Sequence, residues 1–570
     1  MKKIKISVIF VFLFFFSFSA YSFQLVLDKS IAEKLPAYCY GDIAKDHIEY
    51  LTRFDRKPMT EGYYKAAEYI ANKAKEYGLE EVNIEKFPWD GKAKYLTWKT
   101  SETWQPIDGE LRIVSPEYRL LASFKAQPCN LAINSKPADV TAELVYIENP
   151  LNVNTYKSED VKGKIVLTAG ELASSAMVLI NGKGALGIIS FNTIPYWDEN
   201  RKPWSFIHQV GYCSIPEDVK GFGFGIDYDT GNILKERLIK GEKIKVHAKV
   251  EAVYKPLDNE VVSGIIKGTV FPDQEIILIS HLCHGKPGAN DNASGSAANL
   301  EVANTILSMI NDGIIEKPRR TIRFLWVAEY SGTIAWLAKH IDDPVKRLAV
   351  INLDMVGENQ KITNSRVNIT RSPDSCPSYL NALIENIYDV VYKNNQMKYQ
   401  NSPFTIHSFG GSRNTWNAVI TPYSFGSDHD IFLDATIKVP AIMFGNWPDN
   451  FYHSSEDTPD KVDATQLSRA IFFSSALAIT IAYADDNMAE KILFETIKNS
   501  GKSIARQFEK ACNLIISADT SEISKSFYDG KITIECGIEN EKKAIMSVSE
   551  LSSNLKDFSI YYQQLDNIKD

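Results

Sequence analysis

IILISHLCHGKPGANDNASG, residues 276–295, is the stretch whose reading decides the fold. Four apolar residues and a serine lead straight into His281. Such a run, bounded by turn residues, reads as a strand buried on both faces, the signature of a parallel sheet. Asp291 follows after Gly285-Lys286-Pro287-Gly288, turn residues that let its carboxylate fold back beside the imidazole. The small residues Asn292-Ala293-Ser294-Gly295-Ser296 then allow a helix to begin close by. The same device recurs twice. IRFLWVAEY (322–330) delivers Glu329, and LAVINLDMVG (348–357) delivers Asp354. In an open α/β sheet the functional crevice lies outside the carboxyl ends of the strands. Three ionisable groups should therefore converge on one sheet edge. FYHSSEDTPDKVD (451–463) adds His453. A mixed His/carboxylate set suits zinc or a similar divalent ion.

Working outward, residues 251–485 alternate strand and helix patterns throughout. That order predicts an α/β domain with a mixed, largely parallel sheet flanked by helices. Upstream, AKDHIEYLTRF and TEGYYKAAEYIANKAKEYGL show helical spacing, the second capped at Gly78, and EEVNIEKFP reads as a strand. The boundaries read as follows: 1–22 a signal peptide, 23–130 the lead-in helices and strands, 131–250 an inserted α/β domain, 251–485 the core, and 486–570 an appendage. In the appendage a helix pair is expected, with KITIECGI (531–538) as a short strand.

At 570 residues the chain has room for two or three domains. A net charge of −8 argues against nucleic acid or anionic lipid as a partner. MKKIK, the apolar ISVIFVFLFFFSFSA and Ala20-Tyr21-Ser22 have the layout of a cleaved signal, predicting export to the periplasm or beyond with no stable membrane insertion afterwards. An uncleaved anchor is the alternative. Seven scattered Cys (39, 129, 213, 283, 376, 512, 536) form neither a zinc-ribbon spacing nor a dense disulfide framework.

Taken in order, these segments resemble the M28-type zinc aminopeptidases. That family follows a strand-ending His with a G-A-N-D-x-x-S-G loop. W-x-A-E-E and N-x-D-M strand ends, S-D-H-x-x-F and Y-H-x-x-x-D-T-x-D-K-V-D come next. This chain carries His281, GANDNASG (288–295), WVAEY (326–330), NLDMVG (352–357), SDHDIF (427–432) and YHSSEDTPDKVD (452–463). The resemblance implies a zinc-exopeptidase-like fold, one or two zinc ions and a peptide substrate. It implies that His281, Asp291 and Asp354 bind one metal, that Asp291 bridges to a second held by His453, and that Glu329 is the general base. The segment with Asp428 and His429 would shape the pocket; Tyr452, just before His453, reads as either core or pocket. The inserted block, with VKGKIVLTAGE and GALGIISFN, resembles a protease-associated domain, implying a role in substrate access.

Two departures stand out. Where the family has an acidic ligand for the second metal, this chain has Tyr330, and a phenol with a pKa near 10 is a poor zinc ligand. Where the family has an Asp bracing the first imidazole, it has Cys283, followed by His284. Braces of that kind are worth about 10–100-fold in affinity or activity. His284 can replace the brace, or Cys283 can itself approach the metal. These changes leave two other readings open: a non-catalytic peptide- or glycan-binding scaffold, and a mono-zinc glutaminyl cyclase, carboxypeptidase or amidohydrolase. A carboxypeptidase needs a basic residue for the substrate carboxylate, for which Arg413 and Lys438 are candidates.

Overall fold

The computed structural model describes residues 25–192, 207–396, 402–552, 554–555 and 565. The signal-peptide reading falls on residues outside that set. An eight-stranded sheet forms the centre. Its strands run, edge to edge, Glu80–Trp89, Leu257–Ile266, Arg320–Val327, Phe271–His281, Lys346–Leu353, Ala441–Asn446, Val367–Thr370 and Ala418–Thr421. The four middle strands, from Arg320–Val327 to Ala441–Asn446, are mutually parallel. The fold is thus the mixed α/β architecture flanked by helices that the periodicity predicts.

Both faces of the middle strands are buried, as their uninterrupted apolar runs require. Ile276 and Leu278 join one apolar cluster with Phe324, Trp326 and Ile351. Ile277 and Ile279 join the opposite one with Leu325, Val327 and Val350. Each such side chain contributes about 1.5–3 kcal/mol by leaving water. A slip of one residue would exchange the two faces, so the packing also fixes the register that puts His281 level with Val327. The helix Ala464–Ala482 is the one among the described residues long and apolar enough to cross a membrane, and it is wholly buried in the first cluster's layer.

Trp89 stands opposite Leu257 in the antiparallel pair at the sheet edge. Everything between leaves the large sheet. Within it, a seven-stranded sheet has its own core and runs Arg119–Ser123, Thr103–Ser115, Lys245–Lys255, Ala138–Tyr146, Ile165–Thr168, Gly187–Ser190 and Phe222–Gly225. The inserted unit therefore starts well before 131, because Thr103–Ser115 pairs along its whole length with Lys245–Lys255. A strand's domain is set by its long-range partner, which local pattern does not reveal.

The appendage is a helical hairpin, Asp486–Ile516 and Ile523–Ser547. KITIECGI is helical, not a strand. Gly530 and Gly537 let the second helix close onto Ala511 and Gln507 of the first, and this packing overrides the β-branched preference of the segment.

The helix that follows the Glu329 turn, Ser331–His340, is pinned to the edge strand through Glu85. That carboxylate accepts from Lys339 Nζ (2.7 Å), His340 Nε2 (3.0 Å) and Trp336 Nε1 (3.2 Å). Burial opposes its charge, but the His340 and Lys339 hydrogen bonds outweigh that and hold it at about 2, below the ordinary 4.5. The bond to Glu85 holds His340 above its ordinary 6.5. Glu85's contribution is present above pH 4.5 and fades as pH falls toward 2. His340's is present below pH 6.5 and fades as pH rises past its raised value. Glu85→Gln should therefore cost most stability between those limits, about 2 kcal/mol, which denaturant melts across pH would reveal as a flattened profile.

Candidate metal centre

All four parallel strands deliver side chains to one edge. His281 ends its strand, Glu329 and Asp354 lie just past theirs, and His453 sits in the loop after Ala441–Asn446. Asp291 comes back over the edge on the loop before the helix Gly295–Asn311. Gly295 is required there, since a Cβ would lie 2.1 Å from the Leu353 carbonyl oxygen. The close approach brings the Asp291 loop against the end of the strand that carries Asp354.

Asp291 is the hub. Its Oδ1 lies 3.4 Å from His281 Nε2, and that nitrogen lies 3.2 Å from Asp354 Oδ1. Its Oδ2 lies 3.1 Å from His453 Nε2 and 3.3 Å from His284 Nε2. Two sets result, His281–Glu329–Asp354 and His284–Asp291–His453, each able to hold a metal ion with all donor atoms within 4.8 Å of one another. Ligands about 2.1 Å from a tetrahedral ion stand about 3.4 Å apart. The observed separations match that figure.

Orientation supports the same reading. A backbone carbonyl can only accept, so it fixes the tautomer of a ring that bonds to it. His281 Nδ1 donates to the Cys283 carbonyl at 2.9 Å, and His284 Nδ1 to the Gly285 carbonyl at 2.9 Å. Both Nε2 atoms are thereby aimed at the Asp291 carboxylate. Burial opposes charge on His281, but Asp354 and Glu329 outweigh it and push its pKa well above the ordinary 6.5. Burial likewise opposes ionised Asp291, yet His284 and His453 hold it well below the usual carboxylate range. Among the described residues no Lys or Arg pairs with Asp291, Glu329 or Asp354, so the cluster calls for a cation. The residues fit a divalent metal.

Cys283 supports the centre in two ways. Its carbonyl braces His281, and its Sγ accepts from the Glu329 N–H at 3.2 Å. Burial pushes the Glu329 carboxyl up to about 8, against the pull of His281 and with repulsion from Asp354 and Asp428. Asp428 accepts from the Tyr330 N–H (2.8 Å) and Thr333 Oγ1 (2.6 Å), fixing the turn on the far side of Glu329. The Tyr330 hydroxyl donates to Asp430 at 3.1 Å, away from Asp291. His429 is buried and bonds to the Ser424 carbonyl, a structural contact. Tyr452 stacks on His453, ring centroids 3.7 Å apart. Arg413 bonds to the Ser408 and Gly411 carbonyls, and among the described residues neither it nor Lys438 pairs with the cluster.

Three supports escape the sequence reading. Asp457 accepts from the Asn290 and Asp291 N–H groups (2.7 and 3.0 Å), holding the hub loop. Arg56, from the lead-in segment, donates to the carbonyls of Leu51, Leu282, Pro287 and Gly288. Tyr212, from the inserted unit, stacks on His284 (5.1 Å) and meets His453 edge-on (5.6 Å). Its N–H donates to the His453 carbonyl at 2.6 Å. Asp457 had a signal, since it lies in the same quoted segment as His453. Nothing local marks Arg56 or Tyr212, whose partners around the site are hundreds or scores of residues away.

A parallel sheet whose carboxyl-end loops gather imidazoles and carboxylates into two metal-sized sets has a zinc-exopeptidase-like architecture. Residues 261–478, which include every residue of both sets, match the family model for Peptidase family M28. Transferrin receptor protein 2 of Homo sapiens is 26% identical over 276 residues, 46% of this chain and 31% of that protein. The glutamate carboxypeptidase 2 homolog of Caenorhabditis elegans is 30% identical over 265 residues, 43% of this chain and 31% of that protein. The chain thus spans about a third of the length of these curated relatives. Its fold is similar to that of BSAP, a zinc aminopeptidase from Bacillus subtilis, with a TM-score of 0.54 and 18% identity, covering 77% of this chain and 94% of that one.

Proposed function

We propose that the chain is a metal-dependent exopeptidase that releases the N-terminal residue of peptides. One observation carries the reading: Glu329, half-buried and without an ion pair among the described residues, sits in the same cluster as His281 and Asp354 and close to the Asp291 hub. His281, Asp291 and Asp354 would hold one zinc ion, and Asp291 with His453 would take part in holding a second. A divalent ion in such a set polarises the scissile carbonyl and makes water a better nucleophile. Glu329 takes a proton from the attacking water as its oxygen bonds to the carbonyl carbon. It then passes that proton to the amine nitrogen as the C–N bond breaks. Cys283 Sγ and Asp428 hold the backbone on either side of Glu329, which keeps the carboxylate aimed. The inserted unit, read as protease-associated-like, roofs the site through Tyr212 and would limit entry to chain ends. Export, read from residues 1–22, completes the proposal: peptides outside the cytoplasm are the substrates.

Product masses test this. The metal-loaded protein should shorten a free-amine peptide stepwise from its N-terminus and leave the acetylated peptide intact. Shortening from the C-terminus would make it a carboxypeptidase, and cyclisation of an N-terminal glutamine without water uptake would make it a cyclase. No change in any peptide would leave a binding scaffold.

Metal removal should also act on stability, because Asp291, Glu329 and Asp354 would face one another without a cation. A ligand present at about 1,000 times its Kd stabilises the folded state by about 4 kcal/mol. Thermal melts with and without a chelator should therefore differ by several degrees, reversibly on adding zinc.

A further inference from the structure

We propose that His284 is the third protein ligand of the second cation, taking over from position 330 the role an acidic side chain would fill. The inference rests on the metal-dependent reading above and adds a ligand to it. Tyr330 is engaged elsewhere, its hydroxyl donating to Asp430. Against Asp291, His284 presents a ring nitrogen that is buried and makes no hydrogen bond. That nitrogen is Nε2, 3.3 Å from Asp291 Oδ2, while Nδ1 is fixed as the donor to Gly285. A neutral imidazole so held points a lone pair at a carboxylate oxygen. Two acceptors face each other with no donor between them, an arrangement a shared cation resolves. His453 Nε2 meets the same Oδ2 at 3.1 Å, so three donors from two loops surround one point.

The surroundings hold the ring in that pose. Tyr212 stacks on the face of His284, and the His453 ring lies 5.1 Å from it. Gly285 leaves room for this, because a Cβ there would come within 2.4 Å of the Tyr212 ring. The competing state is an imidazolium paired with Asp291, which would occupy the space of the ion and leave the protein with one metal.

Zinc-edge X-ray absorption of the zinc-loaded wild type separates the two. The inference predicts three imidazoles shared over two ions, from His281, His284 and His453; two imidazoles would overturn it. Elemental mass spectrometry then follows the variants. His284→Ala should fall from two zinc ions per chain to one, and Tyr330→Phe should keep two. A His284→Ala protein that keeps two ions, or a wild type that binds one, overturns the inference while leaving the hydrolase reading standing. A wild type that binds none overturns the hydrolase reading as well. The absorption measurement needs no variant, so a His284→Ala chain that fails to fold does not spare the idea.

Discussion

Glu329→Gln should lower kcat by about 10²–10⁴-fold, the usual worth of a positioned general base, while zinc per chain and KM stay close to wild type. The amide matches the carboxylate in shape but cannot take the proton from water. What holds the segment is independent of the side chain: Cys283 Sγ accepts from the Glu329 N–H, and Asp428 accepts from the Tyr330 N–H. The turn should therefore persist and the loss should be chemical. Steady-state kinetics beside elemental analysis checks it. Activity within tenfold of wild type would remove Glu329 from the mechanism, and a parallel loss of zinc would make it a ligand instead.

Arg56→Ala should be the most damaging change outside the metal cluster. The guanidinium is fully buried, and burial lowers its pKa to about 10. It nevertheless remains charged and donates to four carbonyls, three of them on the loop between His281 and Asp291. Asp457, Asp55 and Asp291 supply the compensating negative field. Alanine would leave the Leu282 and Pro287 carbonyls unpaired in a closed interior and take one of two partners from Leu51 and Gly288, at about 1–3 kcal/mol for each carbonyl left bare. A total near 4 kcal/mol is expected, since the loop can relax around some of them. The same loop aims His281, His284 and Asp291, so zinc affinity should fall together with stability. Denaturant melts and zinc competition titrations on one preparation measure both. A variant that loses stability but keeps its zinc affinity would show that the loop is held in place by other contacts.

The convergence of His281, Glu329 and Asp354 was legible because each follows directly on an apolar run. Burial on both faces forces such a run into a parallel strand, and parallel strands put their carboxyl ends on one edge. His281, Glu329 and Asp354 follow from that logic alone, and Asp291 and His453 from the loops beside them. What stayed hidden depends on contacts distant in sequence. Arg56 is separated from Leu282 and Gly288 by the whole inserted unit, and Tyr212 reaches His453 across the boundary between sheets. His284 was legible as a neighbour of the site but not as a member of either set, because only the Gly285 contact reveals which nitrogen it presents. The edge of the inserted unit was misread for the same reason, since Thr103–Ser115 declares its sheet only through Lys245–Lys255. KITIECGI was misread because its β-branched residues are outvoted by the packing of Gly530 and Gly537.

The central claim is that a divalent cation held at the Asp291 hub drives release of N-terminal residues. The most direct test is to titrate the chelated protein with zinc while following release of the first residue from a free-amine peptide. The account predicts no release without metal and a rate that rises and saturates as the sites fill. Release that is indifferent to zinc, or absent at saturating zinc, would contradict it.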